Sequence, residues 1–350
     1  CIVLNTVRDA QETYRAIKAA GVAAPEDLFL IHARFPHEVR QSKESEITSK
    51  FGPGGDRPAK AIVVATQVLE QSLDLDFDLM VTDMAPADLV LQRSGRMHRH
   101  PGTHRPARMQ TPELWVMMPE LSASGLPDFG RSRYVYDPYI LLRSYIAIKD
   151  RDSFEIPDDI EGVVDGVYEG PLPDGISEAL EVAVQTAESK FKESQLQETY
   201  QAEQNLIQHP LLASNATEFL RQTNRDLDED NPELHQALRA LTRLASPSVS
   251  VVCLEDVGGR PYIPSFGPWT EGMVPNMETM RRLLMRSISI SDFRLVFALN
   301  RQPVPSSWRA RAALRHHRVL IFKDQMAQVN GHWVRLDDEL GLEVDPELEF

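Results

Sequence analysis

The chain has 350 residues, which is long enough for two or three domains that each bury a core. Its net charge of −15 argues against a uniformly basic surface, and its two cysteines, Cys1 and Cys253, exclude a disulfide framework and a cysteine-based metal site. No stretch resembles a signal peptide or is apolar for long enough to cross a bilayer, and the scarce cysteines predict a reducing, cytoplasmic location.

The acidic excess is confined to the later part of the chain. Residues 1–110 contain 14 Lys and Arg and 14 Asp and Glu, whereas residues 111–350 contain 23 and 38. Because the first segment is neutral, it can present a local basic cleft, and the total charge does not exclude a nucleic-acid partner.

The first 150 residues alternate short apolar runs with amphipathic ones. They predict strands at 1–4, 28–31, 61–65, 79–83 and 113–118, and helices at 9–20, 36–50 and 139–150. This alternation is typical of a parallel α/β sheet. Polar residues follow four of the strands, at 5–6, 32–34, 66 and 82–83, which is where an open sheet places its ligand site.

The remainder divides into a helical segment and a separate domain. A long polar helix at 176–208 predicts a solvent-exposed connector, and a short helix follows at 233–244. From residue 246 the pattern predicts a small α+β or mainly β domain, with strands at 248–254, 289–297, 318–322 and 332–335 and a helix at 277–287. We therefore expect three regions, 1–150, 151–245 and 246–350.

Residues 92–99 (QRSGRMHR) carry the strongest chemical signal. A helix that starts near Asp88 and continues through this stretch would place Gln92, Arg96 and Arg99 on one face, with Arg93 about 100° away. A run of arginines is commonly a solvated helix end. Here a strand, a polar loop and a second strand precede it, and we expect a site for a polyanion, most simply a triphosphate.

The motif sequence resembles that of superfamily 2 helicases. Residues 92–99 are similar to motif VI, residues 65–74 (ATQVLEQSLD) to motif V, and residues 2–6 (IVLNT) to motif IV. Together with LIHARF at 30–35 and RSGRMHRH at 93–100, these motif sequences resemble those of one subfamily. This subfamily is the helicase–nuclease of type I CRISPR interference that the Cascade complex recruits. Weaker similarity continues at 163–168 and 336–342. Ser72 stands where many relatives have glycine.

The resemblance implies roles for individual residues. It implies that Arg96 and Arg99 face the γ-phosphate of ATP from across a cleft, that Gln92 places the phosphate or the attacking water, and that nucleotide contacts come from Asp74 and Arg93. It further implies that Thr66 contacts a nucleic-acid phosphate and that three residues lie on a strand-tracking surface: Thr6, Arg34 and Arg40.

Several expected motifs are missing from the sequence. It has no phosphate-binding Gly-Lys-Ser/Thr loop, no acidic Mg²⁺ box and no His-Asp pair of a metal nuclease, and His98, His100 and His104 lack the ligands that would complete a zinc site. We therefore expect a fragment: a second RecA-like domain, a helical linker and a C-terminal domain. ATP and Mg²⁺ would then be held largely by the upstream RecA-like domain, the metal of the nuclease would lie in a further upstream domain, and the fragment alone would be inactive.

Residues 308–318 form the most basic stretch of the acidic half. One interpretation is contact of Arg311 and Arg315 with single-stranded DNA, with Trp308 stacking on a base; the other is a solvated helix with Trp308 in the core.

The function predicted is part of an ATP-dependent single-stranded-DNA helicase coupled to a nuclease in CRISPR defence, with Cascade as a partner and no membrane contact. The alternatives are a non-catalytic module that docks on Cascade through residues 246–350, or half of another superfamily 2 helicase that acts on RNA.

Overall fold

The computed structural model describes residues 1–70, 73–204, 248–309 and 311–345. Ser72 and the helix predicted at 233–244 lie outside these residues. Three regions follow in chain order: an α/β sheet with its helices, a helical region, and a C-terminal domain of strands and short helices.

The first region is built on a five-stranded, wholly parallel sheet. Its strands are β1 (Ile2–Val3), β2 (Leu28–Ile31), β3 (Ile62–Ala65), β4 (Leu79–Asp83) and β5 (Glu113–Met117), in the order β2-β3-β1-β4-β5. The first three helices are α1 (Val7–Ala20), α2 (His37–Phe51) and α3 (Ala87–Ser94). The sequence located every strand to within two residues because buried parallel strands are continuous apolar runs.

Alternate residues of the strands pack on opposite faces of this sheet. Phe29, Ile31 and Val63 share a cluster with Ile47 and Phe51 of α2. Leu28, Leu30 and Val64 instead join a cluster with Ala10 and Tyr14 of α1. Helices therefore cover both faces, as the period-2 arrangement of a strand requires.

The helical region packs directly against the first region. After a two-stranded ribbon, β6 (Glu120–Leu121) and β7 (Pro127–Asp128), come α4 (Pro138–Ile148), α5 (Asp159–Tyr168) and α6 (Glu178–Gln204). The expectation that 176–208 forms an exposed connector is wrong for the start of α6, because Leu180 and Val184 are buried with α4 and α5. The core thus continues across residue 150.

The C-terminal domain is α+β. The strands β8 (Val249–Val257), β9 (Arg260–Ile263), β10 (Gly267–Pro268), β11 (Ser287–Ile290) and β12 (Arg318–Phe322) form one sheet, and β13 (Met326–Val329), β14 (His332–Asp337) and β15 (Gly341–Val344) form another. Three helices, α7 (Met277–Met285), α8 (Phe293–Arg301) and α9 (Ser306–Arg309), accompany them.

One expectation for this domain is corrected, and one of two open interpretations is decided for Trp308. The strand predicted at 289–297 ends at Ile290, and α8 follows, because Asp292 caps a new helix by accepting a hydrogen bond from the Arg294 N–H. In the stretch 308–318, a helix extends only to Arg309, and turns follow in the described residues up to His316. Trp308 is fully buried against Trp269, with ring centroids 5.7 Å apart, so it cannot stack on a base.

A tight turn fastens the C-terminal domain to the parallel sheet. The Leu342 N–H donates to the Arg34 carbonyl at 2.8 Å, and Gln11 Nε2 donates to the Leu340 carbonyl at 2.7 Å. Between them Gly341 has φ of +69°, and a Cβ there would lie 2.7 Å from the Arg34 carbonyl oxygen. Only glycine fits this close approach.

Candidate functional site

Polar groups converge at the carboxyl edge of the parallel sheet. The Asn5 N–H donates to Asp83 Oδ2 at 2.8 Å, and Gln67 Nε2 donates to the Asn5 carbonyl at 2.8 Å. Thr66 is buried next to Ile31, whose carbonyl accepts its N–H at 3.3 Å. Burial raises the pKa of Asp83 despite the hydrogen bond from Asn5. The ends of β1, β2, β3 and β4 therefore form one continuous polar edge, as predicted.

The three residues expected on a strand-tracking surface all lie near this edge and have protein partners. Thr6 caps α1 by accepting a hydrogen bond from the Asp9 N–H. Arg34 follows β2 and lies 3.5 Å from Asp292 of the C-terminal domain. Arg40, in the first turn of α2, lies 3.5 Å from Glu44.

The prediction that Gln92, Arg96 and Arg99 lie on one face of a single helix is wrong. Helix α3 ends at Ser94, so Gln92 is helical whereas Arg96 and Arg99 lie beyond the helix. The reason is a competing backbone pairing: the Phe77 N–H donates to the Arg96 carbonyl at 2.9 Å, and the His98 N–H donates to the Phe77 carbonyl at 3.1 Å. This bridge turns the chain alongside the segment that enters β4.

A buried carboxylate fixes the loop of residues 96–105, called here the arginine loop. Asp76 has no exposed side-chain surface; its Oδ1 accepts from the Arg99 N–H at 2.9 Å, and Arg105 Nη2 contacts both oxygens at 2.6 and 2.7 Å. Burial alone would raise the pKa of Asp76, but hydrogen bonds from Arg105, Thr103 and Arg99 hold it below its usual value of 3.8. The arginine loop is therefore preorganised.

The residues predicted to meet a nucleotide cluster around this loop. Arg99 Nε donates to Asp74 Oδ1 at 2.7 Å, and His100 Nε2 lies 3.0 Å from the same oxygen. These hydrogen bonds, first from His100 and then from Arg99, lower the pKa of the Asp74 carboxyl. Arg96 Nη2 donates to the Glu70 carbonyl at 3.0 Å. Gln92 is exposed, and its side chain makes no hydrogen bond to another described residue.

Arg93 lies in the interior and not on the surface of the cluster. Its Nε and Nη2 reach Glu70 Oε1 at 2.8 and 2.7 Å. Its other contacts are to the Thr82 hydroxyl, the Asn5 carboxamide oxygen and the Tyr136 hydroxyl. With only 1% of Arg93 exposed, its donors are committed to the protein. Arg93 thus joins the polar edge of the sheet to the loop that carries Glu70 and Asp74.

Sequence reasoning missed the groups that hold these elements in place. Asp76, Arg105, Glu70 and Tyr136 were not singled out, although the alternating acids at 74, 76 and 78 before a strand were a signal. Glu70 is paired with Arg93, yet burial outweighs this attraction and raises the pKa of the Glu70 carboxyl. All four fix the orientation of the arginine-bearing segments.

A wholly parallel sheet with a polar edge, motif residues at its strand ends and paired arginines after its fourth strand defines a RecA-like domain of the helicase type. Arg96, Arg99, Asp74 and Thr66 lie on segments that this one sheet positions.

Comparison with protein families gives the particular relationship. The family described as CRISPR-associated nuclease/helicase Cas3, C-terminal, matches residues 1–102, and the Cas3 C-terminal domain family matches residues 243–342. The Cas3 endonuclease/helicase of Thermus thermophilus is 37% identical over 322 residues, which is 90% of this chain and 34% of that protein. The Cas3 of Escherichia coli is 36% identical over 48% of this chain and 19% of its own length. The predicted resemblance to the C-terminal part of this helicase–nuclease is confirmed.

Solved structures show the same relationship. A crystal structure of a CRISPR-associated protein matches with a TM-score of 0.86 and 43% identity, covering 98% of this chain and 38% of that one. The crystal structure of T. fusca Cas3-AMPPNP matches with a TM-score of 0.74 and 29% identity over 98% of this chain and 38% of the other. A chain of a CRISPR RNA-guided surveillance complex, pre-nicking, matches with a TM-score of 0.71 and 29% identity, over 98% and 40%.

The chain spans about a third of the length of the curated Cas3 protein that it matches along most of its sequence. Within the described ranges, no helix combines the length and apolar character needed to cross a bilayer. Those ranges also contain no group of three or more His, Cys, Asp or Glu side chains arranged to hold a metal ion.

Proposed function

We propose that this chain is the C-terminal part of an ATP-driven, single-stranded-DNA-translocating helicase that works with a nuclease in type I CRISPR defence in the cytoplasm. One observation carries the proposal: the arginine loop holds Arg96 and Arg99 beside Asp74, on a RecA-like sheet whose polar edge carries Thr66. Guanidinium groups set in this way suit the negative charge of a transferring phosphoryl group.

The arginine loop fits the phosphates of ATP, and a second domain is needed to complete the site. Arg96 and Arg99 are partly exposed, and their fork of N–H donors matches phosphate oxygens. Asp74 would meet the ribose, and Gln92 would orient the phosphate or the attacking water. Mg²⁺ and most of the contacts to the triphosphate would come from an upstream RecA-like domain. Solved T. fusca Cas3 structures in AMPPNP, ADP and ATP forms support nucleotide binding.

Nucleic acid would follow the polar edge of the sheet and the C-terminal domain. We place Thr6, Thr66, Arg34 and Arg40 on the RecA-like side of this path. Arg311, which is exposed, and Arg315, which is half-buried, are proposed to contact the strand from the other side. The similarity to a chain in the pre-nicking surveillance complex supports recruitment by Cascade.

The test compares the isolated chain with the longer protein that contains it. We expect the isolated chain to release little or no phosphate from ATP, and the longer protein to hydrolyse ATP with Mg²⁺ and single-stranded DNA. The release of inorganic phosphate, with and without DNA, measures this. A robust Mg²⁺-dependent ATPase of the isolated chain that Arg96→Ala abolishes would contradict the proposal.

The competing assignments predict different substrates and partners. An RNA helicase would be stimulated by single-stranded RNA more than by DNA of the same sequence. A docking module without catalytic function would bind the surveillance complex even when the longer protein carries Arg96→Ala and Arg99→Ala, and it would show no DNA-stimulated ATPase in any form.

A further inference from the structure

Helix α8 presents two of the most exposed phenylalanines of the described chain on one face. Phe293 is 79% exposed and Phe297 is 62% exposed, four residues apart and therefore about 6 Å along the helix axis. The opposite face carries Leu295 and Leu299, which are buried in the core of the C-terminal domain. Packing of the domain thus accounts for the apolar residues on the inner face of α8, whereas the two phenylalanines on its outer face do not contribute to the core.

A cation continues this outer face. The Arg301 guanidinium lies 4.0 Å from the centre of the Phe297 ring, one further turn along the helix. Phe293, Phe297 and Arg301 therefore form a linear set at spacings of four residues, called here the aromatic stripe. Proteins stack the bases of single-stranded nucleic acid on exposed aromatic rings and on the planes of arginine guanidinium groups.

The charge of the surrounding sequence is unusual for this acidic chain. Residues 293–323 contain seven Lys and Arg and no Asp or Glu, although the chain as a whole has a net charge of −15. The acid that caps the helix, Asp292, lies 3.5 Å from Arg34 and 2.8 Å from Arg294, and Arg294 also pairs with Asp345 at 2.8 Å, so two acids and two arginines balance at this end of the helix. This charge complements a polyanion and disfavours an acidic protein surface.

The aromatic stripe connects two segments already placed on the path of a strand. At its start, Asp292 contacts Arg34, which follows β2 at the polar edge of the sheet. At its end, Arg318 donates to the carbonyls of Leu299 and Asn300, at 3.2 and 3.3 Å, which joins the stretch of Arg311 and Arg315 to the end of α8. The stripe therefore bridges the RecA-like edge and the basic turn.

We propose that the aromatic stripe is a base-stacking site for single-stranded nucleic acid, on which bases stack against Phe293 and Phe297 while Arg301 contacts the adjacent phosphate. The proposal rests on the function proposed above, because it requires that a strand passes along this edge. A protein partner is disfavoured because the exposed apolar surface of α8 is limited to two rings and is set in cationic sequence.

The experiment measures DNA binding by the longer protein through fluorescence anisotropy of a labelled oligothymidylate without nucleotide. Phe293→Ala and Phe297→Ala should each weaken binding by about 5-fold or more, as expected when one base loses its stacking partner. Phe297→Tyr keeps the aromatic face and should bind like the wild type, whereas Phe297→Leu keeps only apolar area and should behave like alanine. Trp115→Ala, which removes a 59% exposed ring from β5 at the far edge of the sheet, is the matched control.

The salt dependence distinguishes the two kinds of contact. Arg301→Ala should lower the slope of log K against log salt by about 0.7, the value for one phosphate contact with a single strand, whereas the phenylalanine variants should leave the slope unchanged. Thermal unfolding of each variant checks that the fold is intact, which is expected because both rings are exposed.

Three other outcomes would contradict the proposed stacking site or the proposed function, and each can be distinguished from the others. If wild type binds DNA and both alanine variants bind it equally well, the stacking site is wrong while the motor assignment stands. If these variants lose only the surveillance complex, and leucine restores it, the stripe is a protein-docking surface. If the wild-type protein binds no single strand at all, the proposed function itself fails.

Discussion

The arginine loop and the aromatic stripe both contain arginine, but they differ in how firmly the protein holds its side chain. In the loop, the buried Asp76 holds the Arg105 guanidinium and the Arg99 backbone N–H, and Asp74 accepts a hydrogen bond from the Arg99 guanidinium, so these groups have protein partners before any ligand arrives. In the stripe, Phe293 and Phe297 are exposed, and Arg301 lies over the Phe297 ring.

This difference matches what each region is proposed to bind. Stabilising a phosphoryl transition state requires donors placed to within a fraction of an ångström, because misplacement loses most of the rate. Holding a moving strand of any sequence requires contacts that form and break easily, which exposed rings on a rigid helix provide. A polar network that is buried and complete is therefore expected in the first region and not in the second.

The largest predicted effect comes from the arginine loop. Arg96→Ala or Arg99→Ala in the longer protein should lower the DNA-stimulated ATPase rate by about 10³-fold or more, the range measured for arginine fingers. Affinity for a fluorescent ATP analogue should change far less, because the triphosphate is proposed to be held upstream. Arg108→Ala, at an exposed position just after the loop, is the control and should retain full activity. Equal losses in all three variants would contradict a specific role.

The next effect tests the buried cation that links the loop to the sheet edge. Arg93→Met leaves the Glu70 carboxylate buried without its partner, which should lower the free energy of unfolding by about 3–5 kcal/mol. Urea unfolding followed by circular dichroism measures this. Arg93→Met combined with Glu70→Gln removes the unpaired charge and should recover part of the loss. A loss below about 1 kcal/mol in the single variant would show that the pair is unimportant.

A smaller effect is expected where the C-terminal domain meets the RecA-like sheet. Gly341→Ala adds a Cβ 2.7 Å from the Arg34 carbonyl oxygen at a φ of +69°, and should cost about 2–4 kcal/mol through strain and crowding together. Gly331→Ala is matched to it, since Gly331 has φ of +85° with no atom near the added Cβ, and should cost only about 1 kcal/mol. Equal costs, again from urea unfolding, would mean that the turn is not tightly docked.

The smallest effect is a dependence on pH at the same contact. His32 is fully buried, with Nε2 3.0 Å from the Leu340 carbonyl, and burial together with the nearby Arg34 lowers its pKa from 6.5 to about 3. Between these values the unfolded chain binds a proton that the folded chain does not, so the free energy of unfolding should fall as pH decreases from 6.5, by about 1 kcal/mol per unit. Urea unfolding at pH 7.5 and 5.5 measures this, and His32→Asn should flatten the difference.

Most of the RecA-like sheet could be predicted from the sequence, whereas the geometry of its site could not. Buried parallel strands are apolar throughout, so β2 was located to the residue. The end of α3 at Ser94 was missed because it depends on the pairing of Met97 with Phe77, a contact between distant segments that local periodicity does not contain. A strand was predicted at 289–297, but helix α8 begins at Phe293. The prediction was wrong because the alternating pattern of a strand and the amphipathic pattern of a helix are hard to distinguish over so short a run.

The sequence alone determined the parallel sheet and the resemblance to Cas3 through the motifs at 2–6, 65–74 and 92–99, because these depend on the order and type of neighbouring residues. For the C-terminal domain it left α+β and mainly β open, and the structure shows α+β. Only the tertiary structure decided that Arg93 is buried while Arg96 and Arg99 stay accessible, that Asp76 and Arg105 fix the arginine loop, and that Phe293 and Phe297 face outward. Burial and partner choice are set by elements far apart in the chain, and a residue's type does not reveal which distant group will lie beside it.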